Sequence, residues 1–243
     1  MKAVGRVQEI NLYPVKSMRG VAVPEATLYW YGLNGDRKYA FVRSDTPSGF
    51  PWLTARELPE LLQYEPRFLT PDEPMTSDVC VYTPSGQPLP LGSAQLGQSL
   101  SSSYGKAVSL FHLNRGTYDC MPVSLITEAT RSTIQNGLGK PLDRRRFRAN
   151  LVVATDDGRG EPEKTWLGAS LTFGKRLDSA RISVTYRTKR CVIVNLEPNT
   201  GQNNAKVLKH VAEKMEACAG VYGTVSKLGT VELGDTVYVE HHA

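Results

Sequence analysis

The chain has only four cysteines and four histidines in 243 residues, and neither type shows metal-ligand spacing. Cys80, Cys120, Cys191 and Cys218 lie far apart and form no C-x-x-C pair. That spacing excludes a zinc knuckle or a ferredoxin-type cluster signature and fits a reduced compartment better than a disulfide framework. His112, His210, His241 and His242 contain no i, i+4 pair, so no histidine metal site is expected, and the last two fall in a terminus expected to fray. The G-x-S-x-G elbow, the G-x-G-x-x-G fingerprint and the P-loop are all missing, which leaves the common hydrolase, dinucleotide and NTPase readings without their motifs. Met1 to Arg6 lacks the apolar core of a signal peptide, and no apolar run reaches membrane-spanning length. The expectation is a cytoplasmic protein with no membrane partner.

Charge of either sign is also modest. Against 24 Asp and Glu stand 29 Lys and Arg, a net +5 that favours a small anionic ligand but is weak as a nucleic-acid signature. The one dense run, Arg144-Arg145-Arg146-Phe147-Arg148, has a single aromatic where a nucleic-acid surface would interleave several. Nucleic acid is therefore ranked last as a partner. The run reads either as a solvated basic face or as a grip for an anion, since arginine is a planar, permanently charged fork.

What the sequence does contain is short, alternating, β-branched segments punctuated by proline and glycine. Strands are expected at Val4 to Tyr13, Val108 to Leu113, Leu151 to Ala154, Ser170 to Phe173 and Arg181 to Tyr186. A hairpin is expected between Ala26–Leu33 and Lys38–Arg43, with Arg37 at its turn. Pro59 limits any helix near Glu60 to a turn or two. Thr127 reads as an N-cap, Gly137 and Gly139 as stops, and Asn204 to Ala219 as an amphipathic helix carrying Cys218 on its apolar stripe. Val231 to Val239 reads as a closing hairpin or bulged strand. About a dozen strands and three helices imply a mainly β fold with a few helices, built as β-barrels with helical decoration. The serine-rich stretch Gly92 to Gly105 is the most linker-like, placing a boundary between a domain of residues 1–103 and a domain of residues 104–243.

One stretch carries chemistry. Cys191 follows Lys189 and Arg190 and opens an apolar run, Cys191 to Leu196, that reads as a strand ended by Glu197-Pro198-Asn199-Thr200. Adjacent cations favour the thiolate, the form that attacks electrophiles or binds soft metals. Free cysteine is also among the most buried residue types, so the local pattern leaves a core thiol and a ligand both open.

Several short pieces, taken in order, resemble the MOSC family, the domain named for the C-terminal part of molybdenum-cofactor sulfurase, together with its N-terminal β-barrel partner. They are Tyr13-Pro14-Val15-Lys16-Ser17, Gly35-Asp36-Arg37, Leu53-Thr54-Ala55-Arg56, Pro122 to Ala129, Arg146 to Asn150, Arg190-Cys191 with Glu197 to Gly201, and Leu228 to Asp235. The resemblance implies a two-part β-barrel architecture of the amidoxime-reducing type, binding molybdopterin and reducing N-hydroxylated compounds. It implies that Cys191 is the protein thiolate on molybdenum and the catalytic residue. It also implies that Lys16, Ser17, Arg37, Arg56, Arg148 and Asn150 converge on the cofactor, with Arg190 and Thr127 as further contacts. Glu197 stands where the family often has Asp, and Lys189 where a small residue is common. No two-iron domain is expected after Ala243, so the expected electron source is a separate ferredoxin- or flavoprotein-type protein. A non-catalytic carrier of cofactor or sulfur is the alternative, because fold resemblance does not establish turnover.

Overall fold

The computed structural model describes residues 1–44, 49–113, 116–156, 158 and 160–241; His242 lies outside them. In chain order the elements are β1 (Lys2–Leu12), β2 (Val21–Val23), β3 (Glu25–Tyr29), β4 (Gly32–Leu33), β5 (Tyr39–Arg43), β6 (Glu65–Phe68), β7 (Val79–Tyr82), β8 (Pro88–Pro90) and α1 (Ala94–Tyr104). They continue with β9 (Val108–His112), β10 (Val123–Thr127), α2 (Glu128–Leu138), β11 (Leu151–Thr155), β12 (Ala169–Phe173) and β13 (Arg181–Lys189). The last are α3 (Lys206–Lys214), β14 (Cys218–Lys227), β15 (Gly229–Glu232) and β16 (Thr236–His241). The fold is mainly β, as the alternating pattern implies.

The largest sheet runs β11-β10-β14-β13-β12-β16-β1-β2, and the additional pairing of β11 with β1 closes a seven-stranded barrel. β1 makes closure possible because it is long and bulged: it pairs β16 through its first half and β11 through most of its length, with register shifts at Ala3/Gly5 and Val7/Glu9. Gly5 is required there, since a Cβ would meet the Ala154 carbonyl oxygen at 2.1 Å. The rest of the N-terminal half forms small antiparallel sheets, β5-β9 and β6-β7-β8, while β15 from the C-terminal half pairs with β3.

Three local expectations are corrected. The serine-rich stretch read as a linker is helix α1: Ser93 caps it by accepting from the Leu96 amide, Leu96 and Leu100 are buried one turn apart, and left-handed Gly105 ends it. Composition pointed to a loop, but the i, i+4 apolar pair decides. The second correction is the hairpin. β3 turns back on β4, whereas β5 pairs with β9, so Arg37 sits between two sheets rather than at a hairpin tip. Third, α3 ends before Met215, because Glu216 and Ala217 both take left-handed backbone; Cys218 therefore opens β14, half-buried, and is not on a helical stripe. β15 and β16 do not pair with each other; each joins a different sheet, and His241 ends β16.

Two smaller apolar clusters position the segments around Arg56, Arg148 and Cys191. Phe147 and Val194 pack with Ile134, Val207 and Val211 of α2 and α3, which fixes the chain beside Arg148 and beside Cys191. Ala55 and Leu62 pack against Leu196, which brings the Arg56 loop onto the same segment. Packing at 0% to 5% exposure thus holds three distant pieces of sequence together.

Candidate functional site

Where the loops of the N-terminal half meet the end of β13 lies a cavity of about 310 Å³. Lys16, Ser17, Arg37, Arg56, Arg148, Arg190 and Cys191 all line it. Asn150 and Thr127 do not. Asn150 is fully buried behind the wall, where its Oδ1 accepts from Arg37 Nη1 at 3.3 Å and from the Ser124 hydroxyl at 2.8 Å. Thr127 caps α2 by accepting from the Thr130 amide at 3.1 Å, and its hydroxyl donates to Glu163 at 2.6 Å. Its side chain serves the helix and a buried carboxylate.

The segment expected to be a strand after Cys191 is a single 3-10 turn, Val192–Asn195, with Cys191 at its N-terminal boundary in extended conformation. The apolar run misled because Val194 faces the core while Val192 is 39% exposed, a one-turn and not a two-residue periodicity. Cys191 is half-buried at the cavity wall. Two cations among the described residues interact with its sulfur. Burial lowers the Arg56 guanidinium's hold on its proton, but Cys191, with Asp119 and Glu57, outweighs this and raises it. Cys191 also acts on Arg190, where burial prevails. Arg190 donates elsewhere, from Nε to the Ala219 carbonyl at 2.7 Å and from Nη1 to the Phe147 carbonyl at 2.8 Å. Lys189 is exposed at the rim.

Three of the five non-glycine residues with positive φ among the described residues line this cavity: Ser17 at 68°, Arg37 at 48° and Arg148 at 49°. Left-handed backbone costs a residue with a side chain about 1–3 kcal/mol and persists where its surroundings over-determine it. Here they do. The Arg37 amide donates to the Tyr13 carbonyl at 2.7 Å, and the Tyr13 amide donates to buried Asp36 at 2.7 Å. Arg37 and Arg148 then stack over the Tyr13 ring, at 5.0 and 4.4 Å.

The electrostatics are unbalanced. Arg37 is paired with Asp36 at 2.7 Å and Arg187 with Glu216 at 2.8 Å, but Arg56, Arg146, Arg148 and Arg190 have no carboxylate partner among the described residues. Burial pushes Arg148 down to about 10, with the nearby Arg37 charge adding to the fall against the opposing pull of Tyr13. Burial likewise lowers Arg190 and Arg146. An arginine stays protonated at such values, so the buried charge is a standing cost that an anion would relieve. Consistent with this, Arg190 Nη2 and Arg146 Nε are buried donors with no partner among the described residues.

A family model described as the MOSC domain matches residues 111–238, and one described as the MOSC N-terminal beta barrel domain matches residues 4–120. The chain belongs to the MOSC family. Among its relatives, mitochondrial amidoxime reducing component 2 of Macaca fascicularis is 24% identical over 293 residues, covering 98% of this chain and 84% of that protein. The Homo sapiens protein of the same name is 24% identical over 297 residues with the same coverage. The solved structure of the YUAD protein from Bacillus subtilis superposes with a TM-score of 0.52 at 13% identity, over 99% of this chain and 97% of that one, and shows the fold alone. Membership of the MOSC family supports a molybdenum-cofactor-associated function. No helix among the described residues is long and apolar enough to cross a membrane.

The cavity wall also includes residues that no motif marks. Asp119, Cys120 and Tyr222 line the cavity. A single carboxylate in irregular chain has no spacing signal, and Tyr222 looks like any strand tyrosine.

Proposed function

We propose that the protein binds molybdopterin in this cavity, with Cys191 as the protein ligand to molybdenum, and reduces N-hydroxylated compounds using electrons from a separate redox protein. The observation that carries the reading is one thiol sharing a cavity with guanidiniums, buried at Arg146 and half-buried at Arg148 and Arg190, that lack carboxylate partners among the described residues. Those residues fit the cofactor: a soft thiolate suits molybdenum, and unpaired arginine forks suit a phosphate. When bound, the cofactor supplies two-electron redox chemistry.

The chain's own residues have separable tasks. Arg56 hydrogen-bonds Cys191 and sets a positive charge beside its sulfur. Arg148, with its guanidinium held by the Tyr13 ring and not by an acid, is available to the phosphate, and Arg190 Nη2 and Arg37 add donors to the same wall. Asn150 holds Arg37 from behind and fixes the direction of its fork. Ser17 offers a hydroxyl at the cavity wall from a backbone that packing holds in place.

The reading is tested by supplying molybdenum-loaded protein with a reduced dye donor and benzamidoxime or an N-hydroxylated purine. Turnover to the reduced base is expected. No turnover, with persulfide accumulating on Cys191, would instead favour a carrier of sulfur or cofactor.

A further inference from the structure

Asp119 is the one carboxylate among the described residues that line the cavity. Its Oδ1 accepts from Lys16 Nζ at 2.5 Å, and the same ammonium donates to the Thr117 carbonyl at 2.6 Å. Two of the ammonium's three hydrogens are thereby committed, which leaves the third for the cavity. Lys16 is 6% exposed, whereas Asp119 is 46% exposed. The buried ammonium is thus joined to solvent through a half-exposed carboxylate.

We propose that Lys16 is the general acid of the reduction and that Asp119 relays its replacement proton from solvent. The proposal rests on the reductase reading above. Reducing >N–OH to >N–H and water takes two electrons, from the reduced donor protein, and two protons. The N–O bond breaks; one proton joins the departing hydroxyl to form water and the other ends on nitrogen. Lys16 gives the first of these, becomes a neutral amine, and regains a proton by way of Asp119.

The charges around the pair suit the task. Burial pushes the Lys16 amine below an ordinary lysine; Asp119 pulls it back up, while Arg37 and Arg148 lower it further. Burial pushes the Asp119 carboxyl up, but Lys16, Arg37 and Arg56 outweigh it and hold the carboxyl below its ordinary range. Phe50 flanks Lys16 with its ring centroid 5.5 Å from Nζ, and Tyr222 faces Asp119 from β14. An acid works best when its pKa lies near the working pH, and burial moves Lys16 in that direction.

The experiment compares molybdenum-loaded wild type, Lys16→Arg and Asp119→Asn at equal molybdenum content, recording benzamidoxime reduction by a reduced dye against pH. The wild-type rate is expected to fall on the alkaline side at a pH below ordinary lysine titration. Asp119→Asn should move that limb to lower pH, because the charge that helps Lys16 keep its proton is gone. Lys16→Arg should lower the rate by about a hundredfold or more and abolish the limb, since guanidinium keeps its proton. An unmoved limb in Asp119→Asn, or a Lys16→Arg rate within about twofold of wild type, overturns the assignment. A loaded wild type without turnover overturns the reductase reading instead. Independently of turnover, NMR of the 15N-labelled lysine amines must show Lys16 titrating below the other lysines; ordinary titration overturns the proposal by itself.

Discussion

Arg190 donates to the Phe147 carbonyl at 2.8 Å, and this bond joins the thiol-bearing segment to the arginine-rich one. The carbonyl belongs to the residue before Arg148, and the guanidinium belongs to the residue before Cys191. The two side chains most directly tied to the proposed cofactor are therefore held at a fixed relation by a bond that neither makes. A second bond, to Ala219, ties both to the start of β14.

Replacing Arg190 with Ala should accordingly loosen the site as well as the fold. Two part-buried carbonyls lose their donors, at about 1–3 kcal/mol for each acceptor left unsatisfied. Urea unfolding should show this destabilisation, and Arg190→Lys should restore less than half of it, because one ammonium cannot reproduce the two-pronged fork.

Arg148→Met should behave in the opposite way. The guanidinium has a ring for company and no carboxylate, so the metal-free protein should be as stable as wild type or up to about 2 kcal/mol more stable. Retention of molybdenum and pterin should nevertheless fall by at least about tenfold, equivalent to one lost charge-assisted contact. Thermal unfolding of the metal-free protein, set beside metal content after purification, separates the two effects.

Thr127 gives a contrast within the residues that the family resemblance suggests. Thr127→Val removes the cap of α2 and the donor to Glu163, which is 1% exposed, and should cost about 2–4 kcal/mol. Under conditions where the variant stays folded, molybdenum content should match wild type, since the side chain lies outside the cavity wall.

Much of this architecture was readable in the residues. β-branched alternation gave the barrel strands β1, β11 and β12 nearly in full and β13 as far as Tyr186, and Thr127 and Gly139 marked both ends of α2. What failed did so where local composition competed with packing. The serines of α1 read as linker until Leu96 and Leu100 meet the core, and the apolar run after Cys191 read as strand although one turn of helix suffices to bury Val194. At the site, Lys16, Ser17, Arg37, Arg56, Arg148 and Arg190 come from separate short motifs that the fold brings to one cavity. Asp119 was invisible because its meaning comes from Lys16, a partner set by tertiary structure. The cations beside Cys191 were legible only in part: the sequence neighbour Arg190 does act on the sulfur, whereas Arg56 arrives from another loop through the packing of Ala55 on Leu196.

The central claim is that this cavity holds molybdopterin through Cys191, and metal and pterin analysis of protein purified from cells that make the cofactor tests it most directly. Wild type should carry molybdenum and pterin in stoichiometric amounts, and Cys191→Ser should lose most of the molybdenum while remaining folded. Equal, stoichiometric molybdenum in both proteins would contradict the assignment of Cys191 as the ligand.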